Sequence, residues 1–220
     1  MTLGQQDHFY ASLCADPAGL SLTNNELRRE LRRRRQQVPL EQQQRASIAI
    51  AARIATSSEF GRSRRIAAYV GSKGEIDPMP LLHLAYDMGK HCYLPVLHPF
   101  LRGRLWFVPW TPYTPMQFNR FGIPEPLFAR DRICKPQWLD LVITPLLGFD
   151  EHCHRLGMGG GFYDRTFAMK RTAKRHGKPK LFGVAHDIQR CESLHVAPWD
   201  ISLDKVITPT QHYRCCLHNN

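Results

Sequence analysis

The residues best suited to chemistry form one run: Arg155, Leu156, Gly157, Met158, Gly159, Gly160, Gly161, Phe162, Tyr163 and Asp164. Four glycines in the five positions 157–161 free the backbone to turn its N–H groups toward one point. A helix that opens behind such a loop adds partial positive charge, so the ligand this predicts is an anion, phosphate first. Asp164, in the first helical turn, is placed to hold a metal bridging phosphate oxygens. Arg155 and Arg165 flank the loop. Two plainer readings stand beside this one: a tight strand-to-helix connection, and an acidic residue that only complements the helix dipole. The run is not a P-loop, because no Gly-Lys-Ser/Thr follows, and Phe162 stands where a dinucleotide fingerprint has its third glycine.

The elements that must position this loop are legible upstream and downstream. Thr23 with Glu26 three residues on makes a capping-box pattern, opening a helix that ends before Pro39. A second helix spans about 39–56, with Ile48, Ala52 and Ala55 at helical spacing. Strands are expected at 65–70, 91–97, 105–108, 140–145, 180–185 and 205–208, and helices at 78–88 and from the glycine loop to about His176. A short helical piece is expected at 188–194, and the proline- and aromatic-rich stretch 109–137 reads as a long functional loop. Strands alternating with helices predict an α/β fold: three layers, a mostly parallel Rossmann-like sheet with helices on both faces. Ligands gather at the carboxyl ends of such strands, where 71–75, 148–161 and His186-Asp187 fall.

At 220 residues the chain is expected to hold one domain, 23–210, after a loosely ordered extension (1–22) and before a tail (211–220). Cys14, Cys92, Cys134, Cys153, Cys191, Cys215 and Cys216 are scattered and odd in number, the pattern of reduced thiols in the cytoplasm. His152-Cys153-His154 lacks a second ligand pair at zinc spacing and reads as a surface loop. No leader peptide and no membrane span is expected. Thirty basic against nineteen acidic residues, a net charge of +11, keeps nucleic acid open as a partner through Arg28–Arg35. No stacking platform accompanies those arginines, and a polyanionic small substrate accounts for part of the basicity, so no specific nucleic-acid partner is expected.

The motif residues then point further. Pro145 with Phe149-Asp150, followed by Arg155-Leu156-Gly157, Gly159 and Gly161-Phe162-Tyr163-Asp164, strongly resembles the 5-formyltetrahydrofolate cyclo-ligase (methenyltetrahydrofolate synthetase) family. Leu27-Arg28, Gly74-Glu75-Ile76, Ile123-Pro124-Glu125-Pro126, Gly183 with Gln189, and Trp199-Asp200 through Asp204 follow in that family's order, so the resemblance covers about 23–210. It implies ATP- and Mg²⁺-dependent closure of 5-formyltetrahydrofolate to 5,10-methenyltetrahydrofolate by a cytoplasmic enzyme, expected to be a monomer.

By that resemblance, Arg155 through Tyr163 cradle the ATP phosphates with Arg28 reaching in from the first helix, and Arg155 and Tyr163 carry the catalytic roles. Asp164 and Asp200 match magnesium ligands. Val70, Glu75 and Phe121 match substrate contacts, with Glu75 taking the adjacent N–H donors of the pterin. On residue chemistry alone Asp200 reads as a cap or salt bridge and Val70 as core. Two departures stand out: Asn24 where several relatives carry a basic residue, and Met158 with Gly160 where some carry Arg and Lys. Three other readings remain open here: a non-catalytic nucleotide- or folate-binding regulator, a ligase for another N-acyl substrate, and an RNA-binding protein using the arginine helix.

Overall fold

The structure, a computed structural model, describes residues 23–128, 132–171 and 177–215. The expected N-terminal extension, Cys14 and Cys216 lie outside those residues. Helices α1 (Asn24–Gln36), α2 (Leu40–Ala55), α3 (Ser58–Arg62), α4 (Met79–Asp87) and α5 (Phe162–Thr166) accompany eleven strands among the described residues. The central sheet comprises β1 (Arg65–Ala67), β2 (His91–Leu97), β3 (Leu105–Trp110), β6 (Leu141–Thr144), β9 (Lys180–Val184), β10 (Lys205–Ile207) and β11 (His212–Arg214). Its order is β11-β10-β9-β6-β1-β2-β3, parallel within and antiparallel at both edges. The remaining strands make two hairpins: β4 (Met116–Phe118) with β5 (Pro124–Pro126), and β7 (Gly148–Phe149) with β8 (Arg155–Leu156).

Side-chain alternation along the parallel strands builds two cores from one sheet. Ile66, Leu141, Ile143, Phe182 and Ile207 face Ile50, Ile54, Leu81 and Leu82 of α2 and α4. Ala67, Val142, Leu181 and Val206 point the other way, into Phe107, Phe149, Phe167 and Leu203. That second face is covered by the short α5, the β7–β8 hairpin and loops. β1 is hydrogen-bonded to β2 on one side and β6 on the other, so strand order reverses there. A crevice opens at such a reversal, outside the carboxyl ends of the strands.

Three expectations on local structure change. Residues 109–137 are not one loop: β3 runs on to Trp110 and the β4–β5 hairpin follows. Part of the expected tail is strand, because His212–Arg214 pairs with β10 along Ile207↔His212. The helix behind the glycine loop has five residues and passes into a 3-10 turn at Ala168–Arg171; 172–176 lie outside the described residues. The break falls at Phe167, which sits fully buried in the second core with φ −103° and ψ 20°, off the helical path.

Candidate active site

Helix α1 brings the first cation to the site. Its capping box forms as expected, with Thr23 and Glu26 exchanging hydrogen bonds. Leu27 and Leu31, one turn apart, pack on Leu147, Leu156 and Cys191 at the ends of the sheet strands. This docking aims Arg28 at the glycine loop, where its Nε donates to the Gly157 carbonyl at 2.9 Å.

The loop itself is shaped by a hairpin that the sequence alone did not reveal. Asp150, 1 % exposed, accepts the backbone N–H groups of His152, His154 and Leu194 and pairs with His154 Nδ1 at 2.8 Å. These bonds fold β7 onto β8 and set the direction in which Arg155 leaves the hairpin. Cys153, read as part of a surface loop, is fully buried in the second core, and His154 turns into the site. Gln189, also buried, donates to the Leu146 and Leu147 carbonyls and ties the loop after β6 to the one after β9.

Gly159 (φ +95°) and Gly161 (φ +60°) occupy the left-handed region, which side chains strain to adopt. Gly161 is the N-cap of α5. Arg165 reaches back along the loop, with Nη2 donating to the Gly160 carbonyl and Nε to the Gly103 carbonyl at 3.1 Å. Two loop carbonyls, those of Gly157 and Gly160, are therefore occupied by Arg28 and Arg165. A five-residue helix has a small dipole, so attraction for anions rests on the loop N–H groups and the arginines more than on α5.

A cavity of about 530 Å³ lies against this loop. It brings together Arg28, Arg155, Leu156, Gly157, Gly159, Gly161, Asp164 and Asp200 from the sequence reading, with Asn24 at the rim. Met158, Gly160, Phe162 and Tyr163 belong to the same loop but do not line the cavity. Arg104, Arg165 and Arg171 bring the lining arginines to five, against two aspartates. Arg104 comes from the distant loop before β3 and Arg171 from the end of the 3-10 turn behind α5, and neither carries a motif that marks it in the sequence. Trp199 is 65 % exposed and also lines the cavity, its carbonyl held by Arg171.

Arg155 is nearly buried, with Nη2 2.6 Å from Asp164 Oδ1 and the guanidinium carbon 5.4 Å from the Tyr163 ring centre. Its Nε has no hydrogen-bond partner among the described residues. Desolvation raises the Tyr163 hydroxyl pKa, so it stays protonated; Arg155 opposes and Glu75 reinforces the rise. Asp164 Oδ1 also accepts the Ile201 N–H, and Asp200 Oδ2 caps the Ala197 N–H at 2.8 Å, so Asp200 does act as the local cap its residue chemistry suggested. Each carboxylate keeps its second oxygen clear of protein donors among the described residues. No cluster of three or more metal-ligating side chains occurs among the described residues. Two hard carboxylates lining one cavity nevertheless suit Mg²⁺, an ion that takes one or two of them together with substrate phosphates and water.

The three residues matched to substrate contacts in the sequence, Val70, Glu75 and Phe121, lie off this cavity. Glu75 sits in the turn after β1, nearly buried, and Val70 packs against the first core. Phe121, 53 % exposed between β4 and β5, meets Phe162 edge to face at 5.9 Å. Tyr163 links the two regions, because both Glu75 and Arg155 act on its hydroxyl. Of the arginine run, Arg33 and Arg34 pair with Glu30, Arg35 pairs with Glu75, and Arg28 is engaged by the loop. Burial pushes the Cys92 thiol up to about 11 and raises Cys134, which makes neither an activated nucleophile.

A sequence profile described as the 5-formyltetrahydrofolate cyclo-ligase family matches residues 21–209. The chain belongs to that family. It is 40 % identical over 181 residues to 5-formyltetrahydrofolate cyclo-ligase of Escherichia coli, covering 82 % of this chain and 97 % of that one. The Haemophilus influenzae cyclo-ligase is 35 % identical over 185 residues, 83 % and 95 % of the two chains. The NMR structure of Aquifex aeolicus 5,10-methenyltetrahydrofolate synthetase superposes with a TM-score of 0.75 at 26 % identity, covering 90 % of this chain and 96 % of that one. Family membership makes the chain a ligase of folate chemistry and accounts for its three-layer fold. No helix among the described residues is long and apolar enough to cross a membrane.

Proposed function

We propose that the chain closes 5-formyltetrahydrofolate to 5,10-methenyltetrahydrofolate at the expense of ATP. The formyl oxygen attacks the γ-phosphorus, ADP departs, and an imidate-like phosphate forms. The neighbouring ring-closing amine then adds to the activated carbon, phosphate leaves with the former formyl oxygen, and the amidinium of the methenyl product remains. Such chemistry asks the protein for positioning and charge neutralisation, not for a covalent nucleophile.

The observation that carries this reading is the glycine loop: the Gly157 and Gly160 carbonyls are occupied by Arg28 and Arg165, and Gly157, Gly159, Gly161 and Arg155 line a cavity that two aspartates also line. In this scheme the loop amides and Arg155 hold the phosphates, and the spare Nε–H of Arg155 is available to a phosphate oxygen. Arg104, Arg165 and Arg171 supply the positive charge that Met158 and Gly160 do not. Asp164 and Asp200 would hold Mg²⁺, which supplies further neutralisation of the triphosphate. Glu75 and Phe121 take the pterin end, and Tyr163 stands between the two substrates as a protonated hydroxyl. The engagement of Arg28, Arg33, Arg34 and Arg35 by side chains and backbone of this chain supports this reading over an RNA-binding helix, and the buried, reduced thiols of Cys92 and Cys134 support a cytoplasmic setting.

The test is absorbance in the methenyl-folate band after mixing protein, 5-formyltetrahydrofolate, ATP and Mg²⁺. A signal that needs all of these establishes the reaction. Nucleotide binding with no signal would overturn it in favour of another N-acyl substrate or a regulator.

A further inference from the structure

Leu27, Leu31 and Arg35 form one buried stripe on α1, at i, i+4 and i+8. The first two are ordinary core residues. The third is an arginine only 1 % exposed, and a leucine there would continue the stripe without desolvating a charge. What Arg35 meets is Glu75: Nη1 lies 3.2 Å from Oε1, while Nε has no hydrogen-bond partner among the described residues. The other carboxylate oxygen, Oε2, accepts from the Ser72 N–H at 3.1 Å and the Ser72 hydroxyl at 3.4 Å.

The turn carrying Glu75 is fixed by other contacts. The Tyr69 hydroxyl donates to the Ile76 carbonyl at 2.5 Å, and the Asp77 N–H donates to Ser47 Oγ at 2.9 Å. Gly74 (φ +79°) lets the turn lie directly on the end of α1, since a Cβ there would stand 3.0 Å from the Arg35 carbonyl. Arg35 is therefore not required to shape the backbone; its side chain acts on the carboxylate.

We infer that Arg35 is a positioning residue of the folate subsite, orienting the Glu75 carboxylate toward the paired N–H donors of the pterin. This rests on the reading of Glu75 given above. A bare carboxylate buried at this depth swings between rotamers and takes up a proton; Arg35 holds Oε1 and Ser72 holds Oε2 through two contacts, the hydroxyl's long at 3.4 Å, which leaves the second site of Oε1 for the ligand and the longer contact to be displaced. Burial pushes the Glu75 carboxyl up, and Arg35 is the largest influence pulling it back. The other groups facing it are Tyr69 and Tyr163, both raised by desolvation and neutral, with Asp77 beside Tyr69. His186, next to Arg35 across Gly74, is lowered by burial and neutral as well. Loss of Arg35 thus moves the ionisation of Glu75 to higher pH.

The experiment is steady-state kinetics of the full chain against 5-formyltetrahydrofolate and, separately, ATP, for Arg35→Met, Arg35→Lys, Glu75→Gln and the Arg35→Met/Glu75→Gln double variant. Arg35→Met should raise the folate KM on the order of tenfold and leave the ATP KM within about twofold. It should also move the acid limb of kcat/KM upward, and Arg35→Lys should restore part of both. On the Glu75→Gln background, Arg35→Met should add less than about twofold, because the two act as one unit. If Arg35→Met fails to fold, Arg35→Lys decides: a raised folate KM with ATP unaffected supports the inference. A lowered melting temperature with folate KM and acid limb unmoved, or effects that multiply in the double variant, would overturn it. Glu75→Gln with an unchanged folate KM would instead overturn the assignment of Glu75, and this inference with it.

Discussion

Arg155 and Asp164 meet at 2.6 Å across the glycine loop, joining the strand that enters it to the helix that leaves it. The pair closes the loop like a clasp and puts a cation and a carboxylate on one wall of the cavity. The Tyr163 ring backs the guanidinium, so the cation cannot swing away from the site.

Asp164→Asn keeps the shape and one acceptor while removing the charge. Turnover should fall about 100-fold, on the scale of losing one electrostatic contact to the transition state. The Mg²⁺ concentration needed for half-maximal rate should rise, and circular dichroism should show an intact fold. Wild-type turnover with unchanged Mg²⁺ dependence would remove Asp164 from the metal site.

The four glycines are not equivalent. Ala at 159 or 161 must adopt a left-handed conformation, at a cost of about 1–2 kcal/mol, and at 161 its Cβ would also press to 2.9 Å from Arg165 Nη1. Both variants should unfold at lower urea and bind ATP more weakly. Gly157→Ala meets nothing within 4 Å and no positive φ, so its urea midpoint should match wild type. Equal destabilisation at all three positions would contradict this account of the loop.

What the sequence revealed about this site, and what it did not, follows from how local each signal is. The capping box at Thr23, the strand cores and the glycine loop are written in neighbouring residues and appear where expected. The β7–β8 hairpin is held by Asp150 reaching residues up to Leu194, and the length of α5 is set by Phe167 entering the core; neither is encoded in local spacing. Arg104, from the loop before β3, joins the cavity only through the tertiary fold. Arg35 looks like one more solvated arginine in a basic run until the packing of α1 buries it.

Asp150 tests whether the hairpin aims the loop. Its carboxylate satisfies three backbone N–H groups and one imidazole, and Asp150→Ala leaves these donors without their acceptor. The expected loss of stability is about 3 kcal/mol by urea denaturation, as for a buried charged acceptor. Arg155 begins the second strand of that hairpin, so kcat should fall as well. Asp150→Asn retains one acceptor oxygen and should recover part of each. A destabilised variant with full kcat would show that Asp150 serves the fold alone.

Glu30 gives a pH signature independent of catalysis. Arg33 first, then Arg34, hold its carboxyl down at about 2 from the usual 4.5, through contacts of 2.8 and 2.6 Å. A depressed carboxyl stabilises the fold above its unfolded pKa and loses that contribution as pH falls through the folded one. The side chain is 28 % exposed, so solvent screening reduces the effect to about 1 kcal/mol. Glu30→Gln should therefore be less stable than wild type by that amount near neutrality in urea titrations. The gap should narrow below pH 4.5 and close near 2. A constant difference across that window would mean that the fork on α1 contributes packing and not charge.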